Sequence, residues 1–349
     1  METPAYERSL VAEIRAALSR VKGPARLQIV IGPRQVGKTT AALAVVDRWS
    51  GPTRYAAADE VLPPGPEWIR TQWELARRDA KKGPSLLVLD EVQKVPGWSE
   101  VIKGLWDADR RTRAPVSVIL LGSSALLLGS GATESLAGRF QLHRCTHWTW
   151  PECRDAFGWN LEQWLFFGGY PGAAGLVDDF PAWRAYVRDA LIESVLGRDV
   201  LAIERVTKPA LLRHLFGLSC HYCAQSVSFN KMLGQLQDAG NTTTLSHYLE
   251  LLGRAFLVTG LPRFSGSVVK SRGSSPKLVV WNNALVTATL GGPFEETRQD
   301  RGLWGRLVEN AVGAHLVSHF HASEEISYFR DGDDEVDFVV RAGKSVVGL

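Results

Sequence analysis

The sequence predicts an α/β fold: a parallel sheet with helices on its faces, then a helical stretch and a smaller, partial α+β region. Three observations predict it. Short, continuously apolar runs at residues 27–31, 85–90 and 116–121 end in polar or glycine-rich loops, as strands buried on both faces do. Stretches of helical periodicity alternate with these runs, which argues for crossover units and a parallel sheet. The octet Gly32-Pro-Arg-Gln-Val-Gly-Lys38-Thr39 follows the first run directly and fits G-x-x-x-x-G-K-[ST].

The elements follow in order. Residues 8–21 have helical periodicity. The strand at 27–31 feeds the glycine loop, and residues 39–49 make the helix after it. Residues 54–58 are a second strand, ending at Asp59 and Glu60, and Pro63-Pro-Gly-Pro66 is a loop. Residues 67–82 and 100–111 are helices on either side of the strand ending at Asp90. The strand at 116–121 runs into Gly122-Ser123-Ser124. From about residue 160 the pattern turns helical, through 161–167, a turn at 168–172, and 181–200, which reads as a helical lid. Residues 206–262 read as a helix-turn-helix unit: a helix at 211–223, a second at 230–238 capped by Ser228, and a third at 245–252 after Asn241-Thr-Thr-Thr244. Leu245, Tyr248, Leu249 and Leu252 form the third helix's core face, and residues 255–258 and 261–264 are the strands of a wing. The expected domains are 1–155 for the nucleotide core, 156–205 for the lid, 206–265 for the winged-helix-like part and 266–349 for the partial α+β region.

Composition narrows the class. At 349 residues the chain has room for two or three domains. With 45% hydrophobic and 22% charged residues it is globular, and a net charge of +3 excludes a polycation, so any nucleic-acid surface is local. No apolar run approaches the roughly 18 residues of a membrane span. The N-terminal stretch is acidic in part and lacks an apolar signal core, so a cytoplasmic location with no membrane partner is expected. Cys220 and Cys223 form C-x-x-C, but no second pair completes a zinc tetrad, so reduced thiols are the default.

The octet is the phosphate-binding loop of nucleoside triphosphatases. Residues Gly32, Pro33, Arg34, Gln35, Val36, Gly37, Lys38, Thr39 and Thr40 are therefore the expected ATP contacts. Backbone N–H groups and the helix dipole meet the phosphates, Lys38 reaches the β- and γ-phosphates, and Thr39 holds Mg²⁺. Ser85-Leu-Leu-Val-Leu-Asp90-Glu91 ends an apolar strand in two carboxylates. Asp90 suits the order of the Mg²⁺ water shell and Glu91 the base for the attacking water. Ser123 lies where it senses the γ-phosphate or caps the helix that follows. Arg139 is a candidate for γ-phosphate charge, in cis or across a subunit interface of a homo-oligomer; an ordinary surface ion pair is the other reading. Residues 251–294 hold Arg254, Arg263, Lys270, Arg272 and Lys277 and no acid, which suits phosphate contacts with DNA as well as a solvated loop. Against DNA, the exposed third-helix positions Ser246, His247 and Glu250 are not basic.

The succession GPRQVGKTT, VLDEVQKVPGW, LLGSSALLL, ESLAGR, FGGYP, TLSHYLELLGRAFLV, PKLVVWNNAL, GRLVENAV and DGDDEVDFVV resembles the prokaryotic AAA-superfamily ATPases that carry a winged-helix region and a C-terminal restriction-endonuclease-like domain of unknown function. The resemblance runs from about residue 22 nearly to the end. It implies a functional arginine at Arg139, in the LAGR motif. For the C-terminal part it implies a nuclease-like set, which needs an acid on a helix, an aspartate on a strand and E-x-K on the next strand. Glu309 and Asp337 match the first two. The E-x-K strand is absent from residues 345–349, so the set is expected to be incomplete, not to cleave DNA, and to leave an open sheet edge at 346–349. Asp331-Gly-Asp-Asp-Glu335 has Val336 where a calcium loop needs glycine, and reads as a hairpin turn. The readings that follow are an Mg²⁺-dependent ATPase moving a lid against a partner such as DNA, a nucleotide switch with little turnover, or a defence or toxin–antitoxin component with a nuclease-like tail.

Overall fold

A computed structural model of the chain describes residues 6–19, 26–59, 64–122, 135–203, 206–236, 240–265, 275–320 and 324–349. The chain divides into two compact units, Met1–Thr146 and His147–Leu349.

In the first unit, β1 (Leu27–Ile31), β2 (Thr53–Ala57), β3 (Ser85–Asp90), β4 (Val116–Gly122) and β5 (Phe140–Arg144) form one five-stranded sheet in the order β2-β3-β4-β1-β5. Every pair is parallel. β1 and β3 are buried along their whole length, which is why they are mostly apolar. Gln28 is the one polar residue within β1, and its Oε1 lies 2.7 Å from Nε2 of His143 on β5. β5 was not expected. It is an edge strand with mixed burial, so its sequence FQLHR lacks the continuous apolar signal.

Helices α1 (Ser9–Ser19), α2 (Lys38–Asp47), α3 (Pro66–Asp79) and α4 (Trp98–Thr112) supply the rest. α3 and α4 are joined through buried Asp109, which accepts from Trp73 Nε1 and Arg77 Nε, both at 2.6 Å. Trp73, Trp98 and Trp106 pack with Leu87 and Leu89 in the core below the sheet. Register aligns the strand ends: Ile31 pairs with Gly122, and Asp90 with Ala57. With β4 between β1 and β3, their carboxyl ends share one edge, where open α/β sheets place their chemistry.

The second unit opens with helices Trp150–Phe157 and Leu161–Phe167. Helix Phe180–Ala185 continues through π-helical stretches Tyr186–Ile192 and Val195–Asp199 into Val200–Ile203. Helices Pro209–His221, Phe229–Leu233 and Thr242–Arg254 follow. Ser228 and Asn241 cap the last two, and Leu245, Tyr248, Leu249 and Leu252 are buried as expected. The next hairpin differs from expectation. β6 (Val258–Leu261) pairs antiparallel with β7 (Lys277–Val280), not with residues just beyond it. Residues 255–257 are spent leaving the helix, and Pro262 cannot donate to a ladder.

Helices Asn283–Leu290, Phe294–Gln299 and Arg301–His319 precede an antiparallel sheet of β8 (Glu324–Asp331), β9 (Asp334–Ala342) and β10 (Ser345–Gly348), in the order β10-β9-β8. Asp331 to Asp334 is a tight hairpin turn, as expected. Phe338 and Val340 pack into a core with Leu261 and Val279. β10 pairs with β9 on one side, and among the described residues nothing pairs with its other edge.

Hydrogen bonds cross the boundaries drawn at 205 and 265. Asn283 Nδ2 donates to the carbonyls of Leu165 (2.8 Å) and Leu307 (2.9 Å). Asn310 Nδ2 donates to Val280 O and Asn283 Oδ1, both at 2.8 Å, and its Oδ1 accepts from Val280 N at 2.9 Å. Thr287 Oγ1 donates to Phe166 O at 2.8 Å. Asn283, Thr287 and Asn310 are buried, so each of these bonds satisfies a group that water does not reach. No helix among the described residues is long and apolar enough to cross a membrane.

Candidate functional site

The chain leaves β1 at Ile31 and turns through Gly32–Gly37 into α2. Gly37 has φ 91°, a left-handed conformation that a side chain would strain. A Cβ on Gly32 would lie 1.9 Å from the Cys145 carbonyl oxygen, because the end of β5 runs against the loop. No side chain caps α2, so the first-turn N–H groups and the helix dipole suit an anion. Lys38 Nζ donates to the carbonyls of Gly32 (3.0 Å) and Pro33 (2.7 Å), across the mouth of the loop. Val36 is buried, whereas Gln35 and Thr40 are exposed and Arg34 is half-buried. Arg8, which the sequence reading passed over, braces the loop from outside: its Nη1 donates to Val36 O at 3.3 Å and Thr146 O at 3.0 Å.

Asp90 is buried at the end of β3. Its Oδ2 accepts from Thr39 Oγ1 and from Tyr55 OH, both at 2.8 Å, and its Oδ1 accepts from the backbone N–H of Glu91 at 2.8 Å. The structure therefore joins the two sequence motifs through one carboxylate. Tyr55 was legible only as a strand residue. Burial, followed by the hydrogen bond and charge of Asp90, pushes its phenol well above the ordinary range, so it stays a donor. Glu91 follows at φ 53°, a left-handed turn that swings its side chain out of line with the strand. Its Oε2 accepts from Gln93 Nε2 at 2.6 Å.

Ser123 lies outside the described residues; the strand it follows ends at Gly122, beside Ile31. Arg139 sits elsewhere. It immediately precedes β5, whose first residue Phe140 pairs with Leu27 at the amino end of β1. On the order of 13 Å of strand separates it from the loop of its own chain, beyond an arginine's reach. Its guanidinium makes a two-pronged ion pair with Asp107 (Nε–Oδ1 2.9 Å, Nη2–Oδ2 3.0 Å) and lies over the Trp106 ring. The hydrogen bond from Arg139 holds the Asp107 carboxyl below its usual range.

The second unit corrects one expected DNA contact. Lys277 is buried, and its ammonium is shared between Glu309 and Asp337, with Asp337 Oδ1 at 2.7 Å. A fully buried, doubly paired ammonium does not meet phosphates. The two acids of the nuclease-like set thus hold a lysine, but one from β7, earlier in the chain than either acid. Burial pushes Glu309 up, more than Lys277 pulls it down. Burial also acts to raise Asp337, but the hydrogen bond and charge of Lys277 outweigh it and hold that carboxyl low. Among the described residues no cluster of three or more metal-ligating side chains occurs. Arg254 is paired with Glu250, and Arg263 with Asp331 at 3.5 Å. Lys270 and Arg272 lie outside the described residues. All four cysteines are buried thiols, and burial pushes Cys223 up to about 11.

Comparison with known proteins agrees with the first unit's geometry. Residues 25–153 match the model of an AAA domain. Residues 158–296 match a domain of unknown function (DUF8612), and residues 304–349 another (DUF4143). The Walker-type ATPase PABY2304 of Pyrococcus abyssi superposes with TM-score 0.55 at 13% identity, covering 83% of this chain and 98% of that one. Over residues 25–153 the chain is similar to AAA-type P-loop domains. The likeness to PABY2304 is one of fold. The Aeropyrum pernix ORC1 protein in complex with DNA superposes at TM-score 0.33 and 16% identity, over 83% of this chain and 93% of that one, too loosely to define a shared fold. No curated protein sequence matches.

Lys277 gives a test in the second unit. Lys277→Met keeps the apolar stem against Phe338 and leaves two carboxylates without their cation. A loss of about 1–3 kcal/mol is expected in urea unfolding at pH 7, less than for a wholly buried pair because both acids are part-exposed. Asp337's pKa is lowered on folding, so its contribution is complete above the unfolded value. It is lost as pH falls through the folded one, and the gap between wild type and variant should narrow there.

Proposed function

We propose that the chain binds ATP with Mg²⁺ and hydrolyses it, and that the second unit couples turnover to a partner, DNA. The observation that carries the nucleotide part is the Thr39 Oγ1–Asp90 Oδ2 hydrogen bond at 2.8 Å. It brings the hydroxyl suited to Mg²⁺ and the carboxylate suited to its water shell to one point beside the loop. The residues fit the group: an uncapped helix start, a glycine cradle, one loop lysine, and a hydroxyl–carboxylate pair. When bound, the metal neutralises charge on the phosphate oxygens. Lys38, freed from the Gly32 and Pro33 carbonyls, binds the β- and γ-phosphates. Glu91 orients the attacking water and receives its proton. Ser123, following the strand between β1 and β3, senses the γ-phosphate. Lys38→Ala should abolish tight ATP binding. Glu91→Gln should bind ATP as the wild type does and lose hydrolysis. Unchanged turnover in Glu91→Gln, measured as phosphate release, removes Glu91 as the base.

Arg139 acts in this reading across an interface of a homo-oligomer, exchanging Asp107 for the γ-phosphate of a neighbouring copy. Arg139→Ala should leave ATP affinity intact and lower turnover on the order of a thousandfold. Mixing it with Glu91→Gln protein should restore activity, since one mixed interface keeps both groups. A protein that remains monomeric in ATP at every concentration defeats the idea.

The DNA part rests on element order and charge. Three helices followed by the β6–β7 hairpin have the order of a winged helix, and residues 262–276 carry Arg263, Lys270 and Arg272 and no acid. Charge reversal at Lys270 and Arg272 should weaken binding to all DNA sequences alike and reduce the salt slope by about 2, one per lost phosphate contact. Absence of DNA binding by the wild type at low salt sinks this part and leaves the ATPase reading standing.

A further inference from the structure

β2 is an edge strand, and its register against β3 sets Ala57 opposite Asp90 and Tyr55 opposite Val88. Residues two apart share a face, so Tyr55 is the diagonal neighbour of Asp90, within reach of a long aromatic side chain. The phenol reaches it: Tyr55 OH donates to Asp90 Oδ2 at 2.8 Å, the same oxygen that takes the Thr39 hydroxyl. The other oxygen is held by the Glu91 N–H. A carboxylate's last torsion is broad and soft. Here both oxygens are pinned, Oδ2 by the hydroxyls of Thr39 and Tyr55 and Oδ1 by the Glu91 N–H.

Building on the ATPase reading, we propose that Tyr55 is a positioning residue for the magnesium ion of the nucleotide complex: it fixes the Asp90 carboxylate so that Thr39 presents its oxygen lone pairs to the metal. Thr39 has one hydrogen and gives it to Oδ2, so its lone pairs point away from Asp90. That orientation depends on Oδ2 staying where it is. Without the phenol, Oδ2 is held by Thr39 alone, and the hydroxyl and carboxylate are freer to shift together. Outer partners of this kind are worth about 10- to 100-fold in metal affinity. Tyr55 suits the role chemically. A phenol is neutral at pH 7 and gives its one hydrogen to Asp90 Oδ2 at 2.8 Å, adding a donor without adding a charge. Tyr55 as a residue is 40% exposed at the sheet edge, so removing the hydroxyl alone does not open the core.

The test is calorimetric titration of the full chain with a non-hydrolysable ATP analogue, in EDTA and at a series of Mg²⁺ concentrations, for wild type and Tyr55→Phe. In EDTA the two should bind the analogue alike. With Mg²⁺ both should tighten, the variant with its midpoint at roughly tenfold higher Mg²⁺ and full recovery at excess. Thermal unfolding without nucleotide should be the same for both. Equal Mg²⁺ midpoints overturn the proposal, as does a loss of affinity in EDTA, which would mean that Tyr55 supports the loop itself. A wild type that fails to bind the analogue under any condition overturns the ATPase reading, a result distinct from either of these.

Discussion

The first unit is organised around one buried carboxylate. Asp90 takes a hydrogen bond from the start of α2, one from β2 and one from its own following residue. A carboxylate in that position is costly unless each oxygen is satisfied. Three donors satisfy it, and each comes from a different place in the chain. The requirement therefore also constrains the loop before α2, the register of β2 and the turn at Glu91. That turn is left-handed at a non-glycine residue, a conformation that persists where surrounding bonds hold it, as the Glu91 N–H to Asp90 Oδ1 bond does here.

Strand order decides what Asp90 can do. β4 lies between β1 and β3, so the phosphate loop and the acidic pair stand one strand apart at the same edge. The gap between them is the width of one strand, about 4.8 Å on either side of β4, room for a small ion or water and for a residue following Gly122. The same sheet places Arg139 at the opposite edge, paired with Asp107. An arginine there serves its own chain as a structural ion pair, and it serves a nucleotide only if that nucleotide belongs to another copy.

The second unit is held differently, by buried amides. Asn283 and Asn310 satisfy backbone carbonyls of segments that the sequence presents as separate regions, from Leu165 through Val280 to Leu307. Amides suit this because each carries two donors and an acceptor without the desolvation cost of a charge. They account for the short motifs VVWNNA and VENAV, which supply Val280, Asn283 and Asn310 to one network, while Leu165 and Phe166, just ahead of FGGYP, supply carbonyls to it. Lys277 is the contrasting case, a buried charge kept by two carboxylates that are each part-exposed.

Much of this was legible in the sequence. The apolar runs of β1, β3 and β4, the glycine loop and the Asp90–Glu91 pair are local patterns, and local patterns carry strand, turn and phosphate chemistry directly. The helix cap at Ser228 and the core face of Leu245, Tyr248, Leu249 and Leu252 belong to the same class. What the sequence did not show depends on partners distant along the chain. β5 exists because β1 offers it an edge, and β6 finds β7 across a connection that no periodicity announces. Lys277 looked like one cation in a basic stretch, and only the approach of Glu309 and Asp337, 32 and 60 residues later, turns it into a buried ion pair. Tyr55 carried no motif at all; the parallel register of β2 on β3 set its hydroxyl on Asp90. The sequence by itself determined the phosphate loop, its acidic partner strand and the α/β class, because short-range pattern encodes them. Tertiary structure alone decided which charges meet, because a charge is exposed, paired or catalytic only by virtue of what folds against it.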